Sequence, residues 1–130
     1  MSITIEHLPD EPIVIMKFEG SVTAAEVTKE LQAVAEQIAE IPGTIYRIYD
    51  ISDLEMSIRE IITLVNRLRR QIPGVYNDPG FEIVFVNDSR TSQMYADILR
   101  TQVFREQPIR IFGGTAEAVE YVRKRQNETA

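Results

Sequence analysis

Apolar and polar residues change their spacing repeatedly along the chain, and each change marks an element boundary. Ile3 to Leu8 reads as a first strand, ended by Pro9-Asp10-Glu11-Pro12, where both prolines restrict the backbone. Ile13-Val14-Ile15-Met16-Lys17-Phe18 is apolar and rich in β-branched residues, a second strand reaching Gly20. So short a connection predicts an antiparallel hairpin. Thr23-Ala24-Ala25-Glu26 then has the spacing of a capping box, in which the Thr hydroxyl and the Glu carboxylate satisfy orphan amides. Val27, Leu31, Val34, Ile38 and Ile41 follow at helical spacing until Pro42-Gly43 stops the helix. Glu30, Glu36 and Glu40 lie off that stripe as a solvated face.

Thr44-Ile45-Tyr46-Arg47-Ile48-Tyr49 is a strand by composition, running into Asp50 to Met56 as a polar loop. Ser57-Ile58-Arg59-Glu60 is a second capping box, and its helix carries Ile61, Val65, Leu68 and Ile72 inward, supported by Ile58 and Ile62. Pro73-Gly74 ends it, and Asn77-Asp78-Pro79-Gly80 is a further loop. Phe81 to Val86 is the clearest strand. Asn87-Asp88-Ser89 offers N-caps for a third helix with Tyr95, Ile98, Leu99 and Val103 inward. Pro108 precedes a short strand, Ile109 to Phe112, and Gly113-Gly114-Thr115 turns into a last helix capped by Thr115, with Ala118, Val119 and Val122 inward. Lys124 and Arg125 near its end suit the helix dipole. The order β-β-α-β-α-β-α-β-α predicts one mixed, mostly parallel sheet of about five strands with right-handed crossovers and an antiparallel edge hairpin. Residues 1–125 form this single α/β domain and 126–130 a flexible tail. The strand holding Tyr46 and Arg47 is not uniformly apolar, so one sheet face is expected to be less fully covered by helices.

Composition narrows the function classes. The 130 residues, 44% apolar and 26% charged, suffice for one core. A net charge of −6 works against binding to polyanions such as nucleic acid or anionic membranes. The chain has no cysteine, which excludes disulfides, thiolate catalysis and Cys-based zinc sites. No stretch has the length of apolar residues needed to cross a bilayer, and Met1 to Glu6 lacks the features of a signal peptide. The expected location is the cytoplasm.

Three local segments carry a family resemblance. Gly20-Ser21-Val22-Thr23 enters the first helix, Ile48-Tyr49-Asp50-Ile51-Ser52 ends a strand, and Ile109 to Phe112 is followed by Thr115-Ala116-Glu117-Ala118-Val119. With the element order, they make the chain resemble the STAS/SpoIIAA-like superfamily of bacterial anti-sigma-factor antagonists and related regulatory domains. Within it the chain looks most like the uncharacterised branch grouped with CRAL-TRIO-type lipid-binding domains. Phosphorylated antagonists open the second helix with an Asp-Ser-Ser-Gly type segment whose serine accepts phosphate. Here that stretch reads Leu54-Glu55-Met56-Ser57-Ile58-Arg59-Glu60, and Ser57 is the nearest hydroxyl apart from Ser52. That stretch departs from the family's segment; the resemblance makes Ser57 a weak candidate phosphate acceptor, and its capping-box position is explained by a plain helix cap without phosphorylation.

Catalytic chemistry has little to stand on. His7 is the single histidine and reads as a surface or edge-strand residue, and no nucleophile-elbow pattern accompanies the serines. Asp50, Asp53 and Glu55 lack the spacing and glycine of a calcium loop. No cofactor is expected. Because parallel sheets bind ligands outside their carboxyl ends, Asp50, Ser52 and Ser57 together with Asn87, Asp88, Ser89, Arg90 and Ser92 form a candidate rim if their strands are neighbours. Arg67, Arg69 and Arg70 either complement the dipole of their helix or form a docking patch for an acidic partner or another copy's Glu-rich helix. The resulting expectation is a non-enzymatic regulatory module that docks a protein partner or a second copy. The alternative is a small-ligand or lipid-binding domain.

Overall fold

The computed structural model describes residues 2–38, 43–70, 81–88, 90–102 and 109–129. Its elements run β1 (Ser2–His7), β2 (Ile13–Ser21), α1 (Ala24–Ile38), β3 (Ile45–Glu55), α2 (Ile58–Arg69), β4 (Phe81–Val86), α3 (Arg90–Gln102), β5 (Arg110–Phe112) and α4 (Thr115–Thr129). The expected order is therefore observed. Ile41, Ile72, Val103 and the turns at Pro42, Pro73-Gly74, 77–80 and Pro108 lie outside the described residues.

The strands form one sheet in chain order, β1-β2-β3-β4-β5, antiparallel between β1 and β2 and parallel thereafter. The hairpin closes through Leu8 N–H to the Ile13 carbonyl at 3.0 Å, with Asp10 at φ 61°, a conformation that a short polar side chain tolerates. A sheet that grows in one direction through right-handed crossovers must carry all its connecting helices on one face. Accordingly Val14, Met16, Phe18, Tyr49, Ile51, Ile83 and Phe85 join Val27, Leu31 and Val34 of α1, Leu64 and Leu68 of α2, and Tyr95 and Leu99 of α3 in the larger core. The last helix is not a crossover and takes the opposite face, where Ile13, Tyr46, Ile48, Val84 and Val86 pack on Ala118 and Val122. One helix against three is the unequal coverage that the sequence predicts.

Four expectations need correction. Residues 50–55 are not a loop: β3 continues to Glu55, because β2 itself runs on through Glu19 and Gly20 and a bulge after Lys17 carries the pairing forward to Glu19↔Asp53 and Ser21↔Glu55. Ile58 and Ile62 do not support the core, being 70% and 56% exposed, whereas Leu64 is buried in their place. Thr115 is the first residue of α4 rather than its cap, since the first helical bond runs from Ala118 N–H to the Gly114 carbonyl. Finally, α4 extends to Thr129, so residues 126–129 are helical; no Pro or Gly stops the helix at 125. Lys124 and Arg125 thus precede the last turn.

The true partners of the late α4 cations are carboxylates at the amino-terminal end of the parallel strands. Arg123 donates to both carboxylate oxygens of Glu11 at 2.8 and 2.9 Å, and Arg125 spans Glu82 at 3.3 and 3.2 Å. The hydrogen bond from Arg123 holds the Glu11 carboxyl below its ordinary value of 4.5, against a smaller opposing effect of burial. A depressed folded-state value means that this contribution is present above pH 4.5 and is lost as pH falls through the folded value. Glu11→Gln should therefore lower stability near pH 7 and flatten its acid-side loss, the two proteins converging as pH falls through the folded value. Urea unfolding of both proteins from pH 3 to pH 7, roughly the carboxylate titration range, checks this; parallel curves would rule the pair out as a contributor.

Candidate functional site

The carboxyl ends of the parallel strands collect the amino termini of all three crossover helices, which concentrates unsatisfied N–H groups at one edge. Side chains from neighbouring elements satisfy them. At α1 the expected capping box is complete: Glu26 N–H donates to the Thr23 hydroxyl at 3.2 Å, and the Thr23 amide and hydroxyl donate to the Glu26 carboxylate at 3.1 and 2.9 Å. At α2 only half of the box forms. The Ser57 hydroxyl accepts from Glu60 N–H at 3.2 Å, but the Glu60 carboxylate reaches across to accept from Ala24 N–H of α1 at 2.6 Å. That bond puts a negative charge on the positive end of α1 and couples the two helix starts. The Tyr95 hydroxyl of α3 donates to the Met56 carbonyl at 2.9 Å and accepts from Met56 N–H at 3.1 Å, which pins the residue before Ser57.

The candidate rim residues divide between the two faces. β3 and β4 are indeed neighbours, with Asp50 opposite Val86. Asp50, only 7% exposed, shares a side of β3 with Tyr46 and Ile48 and accepts from Ser52 N–H at 3.1 Å and from the Thr115 hydroxyl of α4 at 3.2 Å. Asn87 instead turns toward α3, donating from its side-chain amide to Gln93 at 2.8 Å, while its backbone N–H donates to the Phe112 carbonyl at 2.9 Å. Ser57, Asp88 and Arg90 are exposed, Ser89 lies outside the described residues, and Ser92 falls in the first turn of α3. Asp50 and Asn87 are therefore placed as fasteners between elements, Ser52 donates its backbone N–H to Asp50 within β3, and Ser57 stands apart at the start of α2. The extra length of β3 is what separates them. Asp53 and Glu55, both exposed, lie on the same extended strand, and among the described residues no cluster of three potential metal ligands occurs. His7 sits on edge strand β1 and donates from Nε2 to the Glu11 carbonyl at 2.9 Å.

The arginine patch also divides. Arg69 leans onto α3, donating from Nε and Nη2 to the backbone and side-chain oxygens of Gln102 at 3.0 and 2.8 Å. Helical spacing puts Arg67 on the opposite flank, the flank on which Glu60 meets α1, and Arg70 between the two on the solvent side.

Among the described residues, two spaces bear on a ligand or partner. An apolar cavity of about 40 Å³ lies between sheet and helices, lined by Phe18, Leu31, Tyr49, Met56, Leu64 and Leu99 among others. That is far below the roughly 300–1,000 Å³ of ordinary small-molecule sites. The second is a surface groove of about 330 Å³ between α2 and α3, lined by Ile58, Ile61, Ile62, Val65, Met94 and Ile98 with Asn66 and Gln102. Ile58, Ile62 and Met94 are the large apolar side chains left exposed among the described residues, and all three lie here. Fully burying an Ile is worth about 1.5–3 kcal/mol, so leaving two in water beside each other is a local cost to the free protein. The sequence pattern puts these isoleucines in support of the inward stripe, and they lie instead at its exposed edge.

No family model and no curated protein matches the chain. Solved structures do. An uncharacterised protein of the DUF3478 family with a SpoIIAA-like fold, from Shewanella loihica PV-4, superposes with a TM-score of 0.58 at 14% identity, covering 92% of this chain and 91% of that one. The anti-sigma factor antagonist SpoIIAA in its unphosphorylated form gives 0.57 at 16% identity, covering 94% and 98%. The fold is SpoIIAA-like. In this SpoIIAA-like domain the start of α2 presents Ser57 on the surface, and Tyr95 fixes the backbone behind it.

Removing the Tyr95 hydroxyl leaves the Met56 amide and carbonyl, both buried, without that partner. Tyr95→Phe should therefore destabilise the fold by about 1–3 kcal/mol, read as a lowered urea midpoint with unchanged slope. Glu60→Ala should cost about 1–2 kcal/mol through the lost cap on α1, and Glu60→Gln less. An unchanged midpoint in Tyr95→Phe would show that the bond carries no net stability.

Proposed function

We propose that this chain is a cytoplasmic, non-enzymatic regulatory module that works by docking a protein partner on the α2–α3 face. The observation that carries this reading is the groove whose exposed Ile58, Ile62 and Met94 are the large apolar surface residues of the described chain. A contiguous apolar patch beside polar loop tips is the ordinary form of a protein-binding surface. The SpoIIAA-like fold supports the regulatory class, since one structural neighbour is an anti-sigma factor antagonist. Fold likeness by itself does not transfer a partner, and the groove is this chain's own feature. The small apolar cavity favours docking over enclosure of a lipid or metabolite.

Ser57 is the candidate control point within this reading. It is exposed, caps α2 and immediately precedes Ile58 of the groove. A phosphate there would place negative charge at a helix amino terminus, which the dipole favours, but next to the Glu60 carboxylate, which opposes it. As a cap alone, Ser57→Ala should cost about 1 kcal/mol and leave docking unchanged.

Ile62→Ser and Met94→Ser should change folding stability by no more than about 0.5 kcal/mol, because both side chains are already in water. The same substitutions should abolish recovery of the partner that the wild-type protein retains from extracts of its own organism. Retention of that partner by the doubly substituted protein would remove the groove from consideration. An intact mass raised by one phosphate, mapped to Ser57, together with altered docking by Ser57→Asp, would establish the control point; docking that responds to neither Ser57→Ala nor Ser57→Asp would leave the serine as a cap only.

A further inference from the structure

The two helices that form the groove carry an excess of basic charge, of which Arg59, Arg69, Arg70 and Arg90 lie on or beside the groove side. α2 with its cap and α3 carry Arg59, Arg67, Arg69, Arg70, Arg90 and Arg100, against only Glu60 and Asp97. Both carboxylates are engaged, Glu60 with the Ala24 amide of α1 and Asp97 with Arg100 at 2.9 Å. The chain as a whole bears −6, so this helix pair is a basic face on an acidic protein. Along α2, helical spacing stacks Ile58, Ile62 and Arg69 on the groove side, with Arg59 and Arg70 on the adjoining solvent flank. Along α3 it stacks Arg90, Met94 and Ile98 in the same way. Arg69 closes one end of the trough by its bonds to Gln102. The result is an apolar floor between two arginine-bearing rims, running parallel to two helices.

Resting on the docking reading above, we infer that the occupant is an amphipathic helix of a protein partner, apolar along one stripe and acidic on both flanks. A helix suits the shape because its i, i+3, i+4, i+7 stripe offers side chains to a trough between two helices, while flanking carboxylates meet the guanidinium groups on either rim. Among the described residues, a second copy of this chain does not supply such a helix. The acidic α1 has its apolar stripe, Val27, Leu31 and Val34, buried in the core. Anionic lipid shares the charge preference but lacks the discrete stripe that the floor would read.

The test uses the full chain and a fluorescein-labelled synthetic helical peptide with leucines at i, i+3, i+4 and i+7 spacing and glutamates on both flanks. A twin peptide carries lysine at every glutamate. In fluorescence anisotropy the acidic peptide should bind at least about tenfold more tightly than the twin, and should weaken several-fold as salt is raised. Ile62→Ser should weaken it by about tenfold, as expected for losing a central apolar anchor. Arg59→Glu with Arg90→Glu should reverse the preference between the twins, circular dichroism verifying that each variant is folded. Equal binding of the two peptides, or binding indifferent to Ile62→Ser, overturns the inference, as does Ile62-dependent sedimentation with phosphatidylglycerol vesicles in place of peptide binding. A photo-crosslinking residue at position 62, used in the native organism with position 120 of α4 as control, separates this inference from the reading beneath it. Capture through an acidic helical segment supports both. Capture through a basic or extended segment, or of a second copy, overturns the helix inference alone, and no capture above the control overturns both.

Discussion

The handedness of the crossovers is the constraint on which the rest of the molecule depends. Three consecutive β-α-β units, each adding its strand to the same side of the last, put α1, α2 and α3 on one face, as crossovers of a single hand require. β3 becomes the middle strand, covered on both sides, and every residue from Ile45 to Ile51 is buried, Arg47 included. That arginine is accommodated with its Nη1 donating to the Tyr49 hydroxyl at 3.1 Å. α4, free of the crossover rule, supplies the second layer and is held across the sheet by Arg123 to Glu11 and Arg125 to Glu82.

The same topology brings three helix amino termini to one edge, and this explains the crowd of polar residues there. Their bonds run between elements: Glu60 from α2 to α1, Tyr95 from α3 to the end of β3, Asp50 from β3 to α4, Asn87 from β4 to α3. A buried polar group without a partner costs more than the net gain of a bond made, so these residues are chosen by the architecture before any ligand. An edge of this kind resembles an active-site rim in composition and differs from it in being spent on structure.

Sequence made the architecture legible because period and punctuation are local properties. The alternation in Ile13 to Phe18, the stripe Val27-Leu31-Val34 and the Thr23 to Glu26 box can all be read without knowing what they touch. What escaped reading depended on neighbours distant in the chain. Ser52 and Asp53 look like loop residues until Glu19 to Ser21 is known to pair beside them. Thr115 looks like a cap until Asp50 is found opposite it. Helical spacing correctly put Ile58 and Ile62 on an apolar arc wider than one packed stripe, but only the separation of α2 from α3 decides which edge of that arc stays wet. The candidate site was therefore visible as residues and invisible as a surface.

That surplus of apolar arc is itself the strongest functional signal in the chain. Natural sequences keep local pattern and global burial consistent, and breaches of that consistency gather where a molecule does its work. Here the breach has a definite form, since two isoleucines stay exposed at a cost with no structural return, and arginines crowd the same two helices of an otherwise acidic protein. Solubility alone would favour the opposite arrangement, with carboxylates beside the exposed isoleucines to discourage association. Cations there repel the same face of a like copy while leaving acidic partners attracted. The charge thus acts as a filter on what may cover the apolar floor, and the floor supplies the adhesion that screened surface charges cannot.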